Sequence, residues 1–285
     1  MQVIVNIFPS NLLQPMVSSD MLPVIVISIF LGAGCLAAGE KGEKIGEFIN
    51  YAQAVVMKIM MMIISFTPIG VFCLMTDVVA VNGPQIIGKL ALIIAVAYIG
   101  YIAHVVIVYG LSVKFLSKMS PFAFFKGIAP AMITAFTTTS SNATLPVNIE
   151  CCNKMGAEPE ISAFVLPLGA TINMDGTAIY QAVCAVFIAC CYGIDLTLGQ
   201  MAMIVLTATL ASVGTAGTPG AGMIMLAMVL TSVNLPVEGI ALIAGVDKLF
   251  DMGRTTLNIT GDATCAMWIS RLEREKKAKA AAKAK

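Results

Sequence analysis

Residues 247–262 read Asp247-Lys-Leu-Phe-Asp251-Met-Gly-Arg254-Thr-Thr-Leu-Asn258-Ile-Thr-Gly-Asp262. Asp247, Asp251, Arg254, Asn258 and Asp262 follow one another at intervals of four, three, four and four, so a helix would carry all five on one face. The flanks, 240–246 and 263–269, are apolar. Charged groups on a membrane helix are costly and face a bundle interior or a polar cavity. The residue types suit a charged solute together with cations. The planar fork of Arg254 matches a carboxylate, and Asp251 matches an ammonium group. Asp175 and Asp262 offer carboxylate oxygens to a hard cation such as Na⁺. Structural alternatives stand beside these readings: Arg254 paired internally with Asp251, and Asp175 or Asp262 paired with Lys248 or Arg254.

The surrounding chain has the composition of an integral membrane protein. Of its 285 residues 58% are hydrophobic and 12% charged, with a mean hydropathy of +0.91, against roughly 25% charged in a soluble domain. The net charge of +1 gives no reason to expect a nucleic-acid partner. Seven of the 17 Lys and Arg lie in 271–285, a solvated basic tail that predicts a cytoplasmic C-terminus in a plasma or inner membrane. The N-terminus has neither a basic leader region nor a cleavage-like site, so no signal peptide is predicted. The eight cysteines show no metal-binding spacing and read as small apolar packers. His104, alone in an apolar run, reads as a core or interfacial histidine. No nucleophile is set beside a base, so an enzyme is not expected.

Several elements must hold the charged stripe in place. Apolar segments cover 21–38, 45–79, 86–116, 122–134, 161–191, 201–210, 221–230 and 237–269. The first, third, fifth and last are long enough to span a bilayer, and Pro68 predicts a kink or break in the second. Two regions consist of short apolar arms around a polar or glycine-rich tract. One carries Thr137-Thr-Thr-Ser140-Ser141-Asn142-Ala143-Thr144 and the other Gly214-Thr-Ala-Gly217-Thr-Pro219-Gly220-Ala-Gly222. Each arm is too short to cross a ~30 Å core at ~1.5 Å per residue, so two re-entrant helical hairpins fit better than spans. Their helix N-termini would present free N–H groups to an anion.

Lysine placement supports opposite entry. Lys114, Lys118, Lys126 and Lys154 flank the first hairpin, whereas no Lys or Arg occurs from 155 to 247, around the second. One hairpin from each side, each followed by a spanning helix, is an inverted-repeat arrangement whose broken helices meet at the midplane. The spanning helix after the first hairpin is itself interrupted at Gly169-Ala-Thr171-Ile-Asn173-Met174-Asp175-Gly176-Thr177. Unwound carbonyls there are tolerated in lipid only where they line a cavity or hold an ion. The fold class predicted is an all-α integral membrane protein, a multi-span helical transporter with two re-entrant hairpins and broken helices. Its parts are scaffold-type helices over 1–83, a transport core over 84–270 and the tail over 271–285. Within the core fall hairpin 1 at about 121–150, the broken helix at about 158–192, hairpin 2 at about 199–232 and the last helix at about 237–270.

Ser140-Ser141, Pro167-Leu-Gly-Ala-Thr-Ile-Asn-Met-Asp-Gly-Thr177, Gly214-Thr-Ala-Gly-Thr-Pro-Gly-Ala-Gly222, Asp251-Met-Gly-Arg-Thr255 and Asn258-Ile-Thr-Gly-Asp262 occur together and in order. In these motifs the chain closely resembles the dicarboxylate/amino acid:cation symporter family, which includes the excitatory amino acid transporters. The resemblance runs from about Pro9 to the tail. It implies Na⁺ as coupling ion with no cofactor, an acidic amino acid (aspartate or glutamate) or C4-dicarboxylate as solute, membrane lipid around the protein, and a homotrimer working by an elevator mechanism. It also implies three sodium sites. The first uses carbonyls of Gly169, Asn173 and Asn258 with the Asp262 carboxylate. Carbonyls of Thr171, Ser212, Val213 and Thr215 form the second. Asn173 and Asp175, with hydroxyls from an earlier helix, form the third. For the solute it implies Asp251 on the amino group, Arg254 with Thr177 on the side-chain carboxylate, and Thr255, Asn258, Ser140 and Ser141 around the α-carboxylate. Gly217, Thr218 and Gly222 would also contribute to the solute site, and the second hairpin, closing over Thr218 to Gly222, would be the outer gate.

The sequence departs from the family pattern in two ways. Thr139 and Met252 stand where many acidic-amino-acid members carry a further arginine, which leaves aspartate versus glutamate open. The family's first transmembrane helices have no counterpart, which predicts a C-terminal portion, with a truncated, non-transporting fragment as the alternative function. Proton coupling or a neutral amino acid solute is the other alternative. Retained Arg254 favours an acidic solute, and retained Asp262 favours sodium.

Overall fold

A computed structural model describes residues 11–17, 21–64, 83–215 and 217–283, with 66, 69, 70, 72, 73, 76, 79 and 80 between them. Pro68 lies outside the described residues, and so does Pro9. Among the described residues all regular structure is helical. The chain divides into two compact units, one ending at Gly83 and one beginning at Pro84.

The first unit contains α1 (Gln14–Val17), α2 (Met21–Ala37) and α3 (Glu40–Ile64). Helices α2 and α3 pack together through a tight turn at Gly39, whose φ of +58° suits glycine. Gly42 lies against the Cys35 carbonyl, where any Cβ would collide with backbone. Ile29, Phe30, Leu36, Phe48, Val55 and Val56 are exposed.

The second unit opens with α4 (Gln85–His104), which runs through a π-helical turn at Val105–Tyr109 into α5 (Gly110–Phe115). The whole rod, Gln85–Phe115, is 31 residues long, enough at ~1.5 Å per residue to cross a ~30 Å core. Next come α6 (Pro121–Thr138) and α7 (Ser141–Lys154), joined by only Thr139 and Ser140. Pro121 sits at the first helical position of α6, where its missing N–H costs nothing. At the far end Thr139 adopts a left-handed conformation that ends α6, and Ser140 caps α7 by accepting from Ala143 N. Helices α8 (Pro159–Ile172) and α9 (Asp175–Cys191) form one rod broken at Asn173-Met174, where ψ moves to 85° and 48°.

Helix α10 (Leu198–Val213) begins in a Thr197/Gln200 capping box. The described residues 214, 215 and 217–220, with Gly220 left-handed at φ 78°, lead into α11 (Ala221–Ser232). A 3₁₀ turn (Val237–Gly239) and α12 (Ile240–Ala244) lead into α13 (Asp247–Lys283). The final helix thus starts at Asp247 after a break at 245–246 and continues through the basic segment to Lys283.

Helix α13 is the axle of the unit, packed by α4, α6, α7, α8 and α9. Its apolar face joins a core of Phe124, Ile128, Cys152, Leu166, Ile259, Ala263 and Met267. Among the described residues, two helices, Gln85–Phe115 and Pro159–Cys191, are long and apolar enough to cross a membrane. The arms Leu198–Val213 and Ala221–Ser232 are apolar but shorter. All eight cysteines are free thiols.

Candidate functional site

The charged stripe is buried as its spacing predicts. Asp251 and Arg254 are each 2% exposed and Asp262 1%, with Asp247 and Asn258 also buried. Arg254 Nε donates to Asp251 Oδ1 at 2.8 Å, and its Nη1 lies 3.7 Å from Asp247 Oδ1. The guanidinium also stacks 4.5 Å from the Tyr180 ring centroid. The internal Arg254–Asp251 pair, one of the alternatives open from sequence, is therefore present. It leaves capacity unused: Arg254 Nη1 and Asp247 Oδ1 are buried without a hydrogen-bond partner. A buried unsatisfied charged donor is costly and marks a place where a further acceptor would be stabilised.

Four elements bring polar groups to this pair. From the 214–220 turn, Gly220 N donates to Asp251 Oδ2 at 3.0 Å. Gly222, at the start of α11, lies so close to Arg254 that a Cβ would strike the guanidinium. From the α8–α9 break, Gly176 N donates to Asn258 Oδ1 at 2.8 Å, and Asn258 Nδ2 reaches Met174 Sδ at 3.1 Å and Thr177 Oγ1 at 3.4 Å. Within α13, Thr255 Oγ1 donates to Asp251 Oδ1 at 3.3 Å. The tips of the two helix pairs touch: Ser140 Oγ and Asn142 N both donate to Gly217 O, at 3.0 and 3.3 Å. Thr139, Ser141, Thr177, Thr215, Gly217, Thr218, Gly222, Asp251, Arg254, Thr255 and Asn258 line one cavity with Met174. It measures about 10 Å³, roughly the space for one water.

The cation candidates gather in three places. Asn173 Nδ2 donates to Asn258 O and to Asp262 Oδ1, both at 3.0 Å, and Gly169 lies against Asp262, leaving 2.5 Å between a built Cβ and Oδ1. Gly169, Asn173, Asn258 and Asp262 are thus brought together. Asp262 has no cationic side chain beside it among the described residues, so pairing with Lys248 or Arg254 does not explain it. A buried carboxylate without a counter-charge calls for one. Asp175 lies elsewhere. It accepts from Tyr109 Oη at 2.7 Å and contacts His104 Nε2 at 3.2 Å, and Tyr109 and Asn173 both crowd Gly261. For the second set, Ser212 O accepts from Thr215 N at 3.0 Å. The Thr171 hydroxyl turns to Leu168 O. No hydrogen bond among the described residues joins Thr171 to Ser212, Val213 or Thr215.

Sequence reasoning missed Tyr109 and His104 as partners of Asp175. The π-helical turn shifts the register there, and such turns recur at functional sites, but no residue type announces one. Tyr180 was also missed. Its signal was available, because Thr177, Tyr180 and Gln181 fall at i, i+3 and i+4 on one helix face.

Helix ends and broken helices converging on buried charges are the architecture of secondary transporters. The chain belongs to the sodium:dicarboxylate symporter family, whose profile matches residues 1–272. It is a membrane protein of a transporter family, not an enzyme family. It is 42% identical to excitatory amino acid transporter 3 of Mus musculus over 246 residues, which is 86% of this chain and 47% of that protein. An excitatory amino acid transporter of Caenorhabditis elegans is 39% identical over 247 residues, 86% of this chain and 49% of that protein. The proton/sodium-glutamate symport protein of Geobacillus stearothermophilus is 34% identical over 272 residues, 95% of this chain and 64% of that protein. The chain spans about half the length of the animal relatives it matches.

Proposed function

We propose that this chain carries the solute and ion sites of a Na⁺-coupled symporter for an acidic amino acid or C4-dicarboxylate. The observation that carries the reading is Arg254. It is a guanidinium buried in a cavity formed by both helix-pair tips, with Nη1 lacking an acceptor. A solute carboxylate supplies that acceptor. Asp251 takes the solute's ammonium group, with Thr177, Thr255, Asn258, Ser140 and Ser141 completing the contacts. Because the cavity is too small for an amino acid as it stands, loading requires the turn bearing Gly217, Thr218 and Gly222 to lift from Arg254.

Sodium joins at Asp262 with Gly169, Asn173 and Asn258, at Asp175 with Asn173 and Tyr109, and at the carbonyls of Thr171, Ser212, Val213 and Thr215. Charge compensation couples the two ligands: the cation neutralises a carboxylate that is otherwise buried alone, and ordering Asn173 and Asn258 orders the solute pocket beside them. The helix pairs α6–α7 and α10–α11 are re-entrant hairpins of an inverted repeat, the C-terminus is cytoplasmic, and the unit from Pro84 moves as an elevator against a trimeric scaffold surrounded by lipid. Na⁺-dependent binding of L-aspartate to the purified chain, measured by calorimetry, tests the reading. Heat in sodium and none in choline is the expected result. Equal binding in both contradicts it.

A further inference from the structure

Lys248 stands in the first turn of α13, where a cation works against the helix dipole. Its neighbours Asp247 and Asp251 pair with Arg254 instead, and Lys248 forms no ion pair with a carboxylate among the described residues. Its ammonium donates to Thr139 Oγ1. Thr139 is 1% exposed, lines the cavity, and holds φ 54°, ψ 31°. That conformation is uncommon for any residue but glycine and strained for a β-branched one. The Thr139 hydroxyl also donates to Thr138 O at 2.7 Å, one of the terminal carbonyls of α6. Lys248 therefore reaches the negative end of α6 through the side chain of a residue whose own backbone is strained.

We propose that Lys248 is a positioning residue for the solute site: its contact with Thr139 locks the left-handed turn that sets Ser141 against the cavity and Ser140 against Gly217. The inference rests on the solute-site reading above. Glycine would suit the turn without strain, yet it would give Lys248 nothing to hold. A strained threonine gripped by a misplaced lysine is a local conflict resolved by a tertiary contact, the pattern expected where a site is being shaped. The lock also reaches the second tip, because Ser140 and Asn142 bond to Gly217.

Hydrogen–deuterium exchange over residues 136–144 of the purified chain tests the lock without reference to any solute. Lys248→Met is expected to speed exchange there about tenfold through loss of a charge-assisted bond, and Lys248→Arg to restore it. In a Thr139→Gly background, Lys248→Met is expected to add nothing. Unchanged exchange in Lys248→Met, or an equal effect in both backgrounds, overturns the lock. L-aspartate affinity in sodium is then expected to weaken about tenfold in Lys248→Met and recover in Lys248→Arg. Faster exchange with unaltered affinity overturns the positioning role. A parent chain that binds no aspartate overturns the solute reading, while the exchange data still decide the lock.

Discussion

Arg254 and Asp251 are held together at 2.8 Å in a cavity of about 10 Å³. One turn of α13 thus presents the two charges that a zwitterionic solute with a second carboxylate would need, already neutralising each other. This self-pairing lets both charges stay buried, at a cost that only good geometry offsets. On the proposed reading, a solute with matching charges would replace an internal contact and gain the unused Nη1 donor.

Replacing Arg254 by cysteine is therefore expected to weaken L-aspartate binding by on the order of 100-fold or more, the usual consequence of truncating one side of a buried charge pair. It also strands Asp251 and Asp247, a penalty of about 3–5 kcal/mol. Arg254→Cys combined with Asp251→Asn is expected to be more stable than Arg254→Cys alone in thermal unfolding. A double variant no more stable than the single argues against the pair as the main local electrostatic contact.

Asp262 is a buried carboxylate that accepts from the Asn173 amide, with no cationic side chain paired to it among the described residues. Asp262→Asn removes a buried charge, so it is expected to raise the thermal midpoint in sodium-free buffer. Sodium at about 100 times its Kd should stabilise the parent by about 2.7 kcal/mol, and that increment should shrink in the variant. A full sodium-induced shift in Asp262→Asn contradicts its assignment as an ion ligand.

Gly222→Ala places a methyl group against the guanidinium of Arg254. Overpacking of this kind costs about 1–3 kcal/mol. Here the guanidinium must swing away from Asp251 to make room, so L-aspartate affinity is expected to fall more steeply than stability. Calorimetric affinity compared with the thermal midpoint checks the ordering.

On the basic segment, the Glu158 carboxylate accepts from Lys277 Nζ at 2.6 Å and holds its ammonium above the ordinary amine range. Glu275 is held below the usual carboxylate range by its hydrogen bond from Arg271. A raised lysine contributes below its ordinary value and loses its contribution as pH rises through the raised one. A lowered glutamate contributes above its ordinary value and loses its contribution as pH falls through the lowered one. Between about pH 6 and 9 neither group titrates, so the tail contacts are expected to give a flat thermal midpoint across that window. Lys277→Ala should leave it unmoved because exposed pairs contribute little. A midpoint that shifts in Lys277→Ala would show the tail to be structural.

Much of the site was legible because one helix periodicity governs it. The spacing from Asp247 to Asp262 sufficed to place five polar groups on one buried face, and the Gly169–Thr177 tract announced a break that the structure narrows to Asn173-Met174. The Ser140 and Gly217 tips were identifiable as turns, but their mutual contact was not, since it joins residues 77 apart in sequence. His104 and Tyr109 were hidden because a π-helical turn breaks the regular spacing by which a helix face is read. Nor does periodicity show that Arg254 is paired with Asp251 rather than poised open, because both states place the same residues on the same face.

The most direct test of the account is uptake of radiolabelled L-aspartate into proteoliposomes containing this chain, with and without an inward Na⁺ gradient. Accumulation is expected to require the gradient and to disappear in Arg254→Cys. Uptake that is indifferent to sodium, or that survives Arg254→Cys unchanged, would contradict it.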